Sequence, residues 1–320
     1  MNKVKRSVAA LICCLLTVTA FAQQPAASFK VVPLGVRGGS NESNLSAYMV
    51  AAASSNQYVC LDAGTLHYGI QMAINKGIFK GTVNNVLKNR IKGYLISHPH
   101  LDHVAGLIIN SPDDTAKNIY ALPFCEAVLK EKYFSWKSWA NFADDGEKPL
   151  LKKFHYATLS AAMPMDLAQT NMSVTAYELS HSSPYKSTAF LLKNNDAYLL
   201  YLGDTGADSI EHASNLQTLW EQVSPLIKQG QLKAIFIEVS FDNSQPAALL
   251  FGHLTPNLLL QELQALEKTA GREVLRKVPI VITHEKPGQQ REIRIKKQLL
   301  ALKPAGMQFI FPSQGTMLQF

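Results

Sequence analysis

Ser97-His98-Pro99-His100-Leu101-Asp102-His103-Val104-Ala105-Gly106 places four metal-binding side chains, His98, His100, Asp102 and His103, within six positions. The apolar run before it, residues 91–97, has the character of a buried strand, so the histidines stand where a strand ends. His98 and His100 alternate onto one side of an extended turn. Asp102 and His103 follow as the chain turns toward a helix. That spacing aims one imidazole pair at one metal ion and offers an Asp–His pair to a second. Imidazole and carboxylate suit zinc, with manganese or iron(II) as the other occupants the donor set admits. A lone histidine is usually structural, but four ligands so spaced at a strand end point to a metal.

Two ions need further ligands, and the chain offers them at other strand ends. His181 follows the apolar run 173–179, Asp204 follows 198–202 in Leu-Gly-Asp-Thr-Gly, and His284 follows 279–283. Strand ends are where a fold exposes functional groups. Each residue alone could be a cap or a turn; with the quartet they complete a two-metal set.

Around these positions the pattern is of short strands separated by Gly, Asn and Ser, at 29–34, 47–52 and 58–61 and again at 172–179, 188–193 and 197–202. Helical spacing is expected over 70–87, 216–229 and 256–269, buried strands over 234–240 and 278–283, and two closing strands over 307–311 and 316–320. Leu61-Asp62-Ala63-Gly64-Thr65 and Leu202-Gly203-Asp204-Thr205-Gly206 echo one another, each an apolar strand delivering an Asp into a turn of small residues. Two similar halves predict an α/β fold with two sheets packed face to face and flanked by helices. Residues 126–170 break the rhythm and carry Tyr133, Phe134, Trp136, Trp139 and Phe142, which reads as an inserted cap.

The chain has 320 residues, 47% hydrophobic and 17% charged, an ordinary globular composition that excludes disordered and collagen-like classes. Its longest apolar run, residues 8–22, lies behind Lys3, Lys5 and Arg6 and ends in Ala20-Phe21-Ala22. This reads as a secretory signal peptide over residues 1–22, too short in its core for a comfortable membrane span. Removing its three basic residues takes the formal net charge from +7 to +4, a poor footing for a nucleic-acid binder. The expectation is an exported protein, periplasmic or extracellular, with 23–320 as one domain and no stable membrane insertion. Cys13 and Cys14 leave with the leader. Cys60 and Cys125 remain in apolar surroundings, where a disulfide or two buried thiols are both open.

The run from His98 continues through Leu107-Ile108-Ile109-Asn110 to Ser111-Pro112. Three histidines and an aspartate in the order His-x-His-x-Asp-His, followed by a small-apolar stretch and Ser-Pro, resemble the signature of class II 3′,5′-cyclic-nucleotide phosphodiesterases, within the metallo-β-lactamase-fold hydrolases. The broader likeness covers nearly all of 29–320, including Gly38-Gly39 and the Asp62 turn. It implies the four-layer αββα sandwich of that fold, with two mixed sheets. It also implies His98, His100 and His181 on a first divalent ion, Asp102, His103 and His284 on a second, and Asp204 bridging them. Glu238 and His253 resemble the acidic–histidine relay of phosphodiesterases on this fold. A phosphodiester leaving oxygen needs a proton, so a non-ligand imidazole beside the metals makes chemical sense. Spacing alone leaves open which of His253 and His284 is the acid and which the ligand.

The implied activity is hydrolysis of cAMP or cGMP, a small-molecule substrate, to the nucleoside 5′-phosphate, with Asp102 also orienting the attacking water. Lys186 could touch phosphate, although a solvated loop lysine is the plainer reading, and Trp136, Trp139 or Phe142 could stack the base. A lactonase or other phosphodiesterase shares most ligands, but a lactonase has no use for Glu238–His253. A secreted binding module that lost catalysis would be expected to have lost ligands, and all seven are present.

Overall fold

The computed structural model describes residues 27–288 and 290–320. The expected signal peptide lies outside the described residues. Strands β1 (Phe29–Gly35), β2 (Ala47–Ala52), β3 (Tyr58–Leu61), β4 (Ile91–Leu95), β5 (Lys117–Ala121) and β6 (Phe154–Thr158) lie side by side in one sheet. The second holds β7 (Pro164–Leu167), β8 (Met172–Ser180), β9 (Lys186–Asn194), β10 (Ala197–Leu202), β11 (Leu232–Glu238), β12 (Ile280–Thr283) and β13 (Phe309–Ile310). The last strand, β14 (Leu318–Gln319), returns to pair with β1, giving seven strands in each sheet.

Both sheets are mixed in the same way. Pairing is antiparallel from β14 through β1 and β2 to β3, then parallel through β4 and β5 to β6. It is antiparallel again from β7 to β10 and parallel from β10 to β13. The two echoing Asp turns therefore fall at equivalent points, after β3 and after β10, the strands at which the pairing changes sense.

Apolar side chains make three layers, because strand residues alternate faces and both faces are covered. Tyr48, Val50, Phe190, Tyr201 and Phe236 meet between the sheets. Met49, Cys60 and Tyr94 point the other way, onto Ile70, Val86, Val104 and Leu107 of the outer helices. On the far side Leu200, Ile235 and Ile237 pack against Leu219, Trp220, Leu259 and Leu263. The result is the helix–sheet–sheet–helix sandwich the sequence predicts. Cys60 and Cys125 are both buried and free, in the outer layer of the first sheet.

Several expectations shift. The single helix over 70–87 is two, His67–Asn75 and Val83–Arg90, because Gly77 and Gly81 take left-handed φ of 75° and 95° between them. A helix at Arg291–Leu302, unexpected from the sequence, buries only Ile295 and Leu299. Residues 126–170 are irregular over 134–153 and then supply β6 and β7, one edge strand of each sheet. Within this stretch the Tyr133 hydroxyl donates to the Pro99 carbonyl at 2.8 Å, and Trp139 Nε1 donates to Ser111 Oγ at 3.0 Å. The segment thus leans on the histidine turn and on the Ser-Pro end of the signature. Among the described residues no helix is long and apolar enough to cross a membrane.

Candidate metal centre

The parallel strands bring their carboxyl ends to one rim, where open α/β sheets place their ligands. β4 leads through Ser97 into the His98–His100 turn, and Asp102 and His103 occupy the first turn of the helix Leu101–Asn110. His181 follows β8, Asp204 follows β10 and His284 follows β12, while Glu238 ends β11. His253 precedes the helix Pro256–Ala270, whose start is capped by Thr255. All nine of the site residues singled out in the sequence converge here.

They form two facing groups. His98 Nε2 and His181 Nε2 lie 3.1 and 3.4 Å from His100 Nδ1. His103 Nε2 is 3.1 Å from His284 Nε2, which lies 3.2 Å from Asp102 Oδ2. Between the groups, Asp204 Oδ2 stands 3.2 Å from His284, 3.4 Å from His103, 3.8 Å from His98 and 3.9 Å from His181. Donors 2.0–2.1 Å from a tetrahedral zinc sit about 3.3 Å from one another. The contacts of 3.1–3.4 Å in each group match that figure, so the donor set fits divalent metal ions, and the single oxygen of Asp204 lies within reach of both groups.

Hydrogen bonds fix which nitrogen of each ring faces the cluster. His98 Nδ1 donates to Ser97 Oγ at 3.0 Å and His181 Nδ1 to the Gly252 carbonyl at 2.8 Å, leaving both Nε2 lone pairs inward. Asp62 holds His103 Nδ1 at 2.8 Å, Ser97 Oγ at 2.9 Å, the Ser97 amide at 2.8 Å and the Tyr201 hydroxyl at 2.6 Å. His253 Nδ1 donates to Glu238 Oε1 at 2.7 Å, and its Nε2 has no protein partner among the described residues. His284 Nε2 instead points at Asp102, Asp204 and His103. The two rings therefore differ in setting: His284 Nε2 lies among the other candidate ligands, whereas His253 Nδ1 is bound to Glu238. Asp62 and Ser240, the latter touching Glu238, His253 and His284, are the functional residues sequence reading missed.

Burial depresses His98 well below the ordinary imidazole range and brings His181 down to about 4, so both rings stay neutral with a lone pair available. Burial also disfavours charge on His103, but the carboxylates of Asp204, Asp62 and Asp102 outweigh it and hold its proton firmly. Burial likewise works against ionised Asp102 and Asp204, yet the rings of His103 and His284 keep both well below the usual carboxylate range. Ionised carboxylates are thus packed among imidazoles, a charge pattern that a cation completes.

Gly38-Gly39 closes one side. A Cβ on Gly38 would stand 2.1–2.4 Å from the His284 ring, so only glycine fits, and the Gly39 amide donates to Asp102 Oδ2 at 2.7 Å. His100 and Asp102 are the members open to solvent and mark the approach side. The ring of Tyr185, 64% exposed, lies 5.9 Å from that of His100. Lys186 is the solvated lysine of the plainer reading, paired with Glu178 at 2.9 Å. Trp136 and Trp139 direct their indole N–H groups to Pro149 and Ser111, and Phe142 packs under Lys153.

Residues 79–314 match the family of class-II cAMP phosphodiesterases. A 3′,5′-cyclic-nucleotide phosphodiesterase of Aliivibrio fischeri is 43% identical over 331 aligned residues, covering 99% of each chain. A probable 3′,5′-cyclic-nucleotide phosphodiesterase of Yersinia pestis is 37% identical, covering 96% of this chain and 93% of its own. The solved structure of unliganded yeast PDE1 superposes with a TM-score of 0.81 at 20% identity, over 92% of this chain and all of that one. The metallo-β-lactamase fold protein YhfI of Bacillus subtilis gives 0.61 at 14% identity, over 91% and 99%. Fold and site together define a metallo-β-lactamase-fold hydrolase with a His/Asp cluster suited to divalent metal ions. Within that class, the chain belongs to the class-II cAMP phosphodiesterases.

Proposed function

We propose that the protein is exported and hydrolyses 3′,5′-cyclic nucleotides, cAMP or cGMP, to nucleoside 5′-phosphates at a dinuclear centre. Zinc is the ion the imidazole-rich donor set suits best, with manganese and iron(II) as the other occupants. His98, His100 and His181 would hold the first ion and Asp102, His103 and His284 the second, with the carboxylate of Asp204 available to both. Such ions supply Lewis acidity to a phosphoryl oxygen and lower the pKa of a bound water. The observation that carries the reading is His253, a buried imidazole locked to Glu238 through Nδ1 with its Nε2 free, beside a complete ligand set.

The chain's own residues divide the work. Asp102, pinned by the Gly39 amide, orients the attacking water on the open side. Attack in line with the 3′-oxygen breaks the P–O3′ bond and leaves the phosphate on the 5′-carbon. His253 gives its Nε2 proton to the departing oxygen, and Glu238 stabilises the charged ring that carries it. Base stacking falls to the exposed face of Tyr185 beside His100 rather than to Trp136, Trp139 or Phe142, a reading supported by the 5.9 Å ring separation from His100. Support for export is the leader pattern of residues 1–22, and sequencing the secreted protein should give Gln23 as its first residue.

The test is incubation of the metal-loaded protein with cAMP and cGMP, with and without chelator, and separation of the products. Chelator-sensitive release of 5′-monophosphate supports the proposal. Release of 3′-monophosphate reverses the assigned leaving group. No turnover by a protein holding two ions moves the substrate to another phosphodiester or a lactone.

A further inference from the structure

We infer that the Ser240 hydroxyl is a positioning residue that ties the acid His253 and the ligand His284 to one carboxylate; the inference rests on the dinuclear reading above. Ser240 is fully buried just past the end of β11. Its Oγ lies 2.6 Å from Glu238 Oε2, 2.9 Å from His284 Nδ1, 3.2 Å from His253 Nδ1 and 3.1 Å from the His284 carbonyl. A hydroxyl has one proton to give and two lone pairs to receive.

The proton goes to Glu238, the shortest contact and an ionised acceptor, in preference to the neutral His284 carbonyl. Glu238 is committed to its charged form: Oε1 accepts from the Thr205 amide at 3.1 Å and His253 at 2.7 Å, and Oε2 from the amides of Ser240 at 3.1 Å and Leu254 at 3.3 Å. With its proton so placed, Ser240 Oγ can only accept from the two rings. His284 must then carry its hydrogen on Nδ1, which leaves its Nε2 lone pair facing the space among the candidate ligands that a cation would fill. His253 shares its Nδ1 hydrogen between Glu238 and Ser240, which holds its ring plane and leaves Nε2 for the leaving oxygen. One hydroxyl outside the candidate ligand set thus fixes the tautomer of His284 and the aim of His253.

The experiment compares Ser240→Ala and Ser240→Thr with the parent enzyme. Zinc affinity is measured by titrating metal-free protein against a competing chromophoric chelator. Activity is measured on cAMP and on bis(p-nitrophenyl) phosphate, whose leaving group departs without a proton. Ser240→Ala should bind its weaker ion about 10- to 100-fold less tightly, the usual effect of removing a ligand's outer partner. It should also lose at least about tenfold more activity on cAMP than on the aryl ester. Ser240→Thr, which keeps the hydroxyl, should restore both. Unchanged zinc affinity in Ser240→Ala overturns the His284 link, and equal loss on both substrates overturns the His253 link. A parent enzyme that holds two ions and hydrolyses cAMP while the Ser240→Ala variant matches it sinks this inference alone. A parent enzyme that does neither sinks the dinuclear reading first.

Discussion

Asp62→Asn changes one buried atom and should cost the metal centre far more than the fold. The two side chains have nearly the same shape, so packing between the sheets is preserved. Asp62 Oδ1 accepts from the Ser97 amide, and Oδ2 from Ser97 Oγ, His103 Nδ1 and the Tyr201 hydroxyl. An asparagine has one acceptor oxygen and one NH2 group that only donates. With NH2 at the first position it faces the Ser97 amide, donor against donor, with a penalty of about 1–3 kcal/mol for the unmet buried group. With NH2 at the second position the hydroxyls of Ser97 and Tyr201 can rotate to accept. His103 can accept only by moving its hydrogen to Nε2, which removes that nitrogen from the cluster. Either arrangement should weaken zinc binding by about 10- to 100-fold, equivalent to about 1.4–2.8 kcal/mol. The assay is zinc titration of metal-free protein against a competing chelator, with denaturant unfolding of the same samples as the measure of fold. An Asp62→Asn variant with parental zinc affinity and parental turnover would refute the tautomer reasoning.

Three further outcomes follow from the same geometry. His253→Ala should slow cAMP hydrolysis by about 100- to 10,000-fold while losing much less on an aryl phosphodiester, and should still bind two ions; an equal loss on both substrates would remove it as the acid. Gly38→Ala drives a methyl into the His284 ring and should release zinc from the folded protein, read by metal analysis after dialysis. Tyr185→Ala should raise KM for cAMP about 5- to 150-fold, the range of one lost base stack, with kcat little changed and Tyr185→Phe near the parent.

The candidate ligands were legible in sequence because each is a polar residue abruptly ending an apolar run, and because four of them are crowded into one turn. The same signal drew attention to Asp62, whose turn echoes that of Asp204, but its partners Ser97, His103 and Tyr201 lie 35 to 139 residues away. Only folding brings them together. Ser240 carries no pattern at all: a serine at a strand end is common, and its meaning comes from Glu238, His253 and His284 arriving around it. The roles of His253 and His284 could not be read from spacing for the same reason, since they depend on which ring nitrogen each neighbour occupies. The helix Arg291–Leu302 escaped because two buried residues four apart make too narrow a stripe for periodicity to show. The break at Gly77 and Gly81 was written in the sequence and simply outweighed by the apolar spacing on either side.

The central claim is tested most directly by adding zinc in measured equivalents to metal-free protein while following hydrolysis of cAMP. The account predicts no activity without metal, a rate that reaches its plateau as the second ion per chain binds, and 5′-AMP as the only product. Full activity in the presence of excess chelator, or two tightly bound ions with no hydrolysis of either cyclic nucleotide, would contradict it.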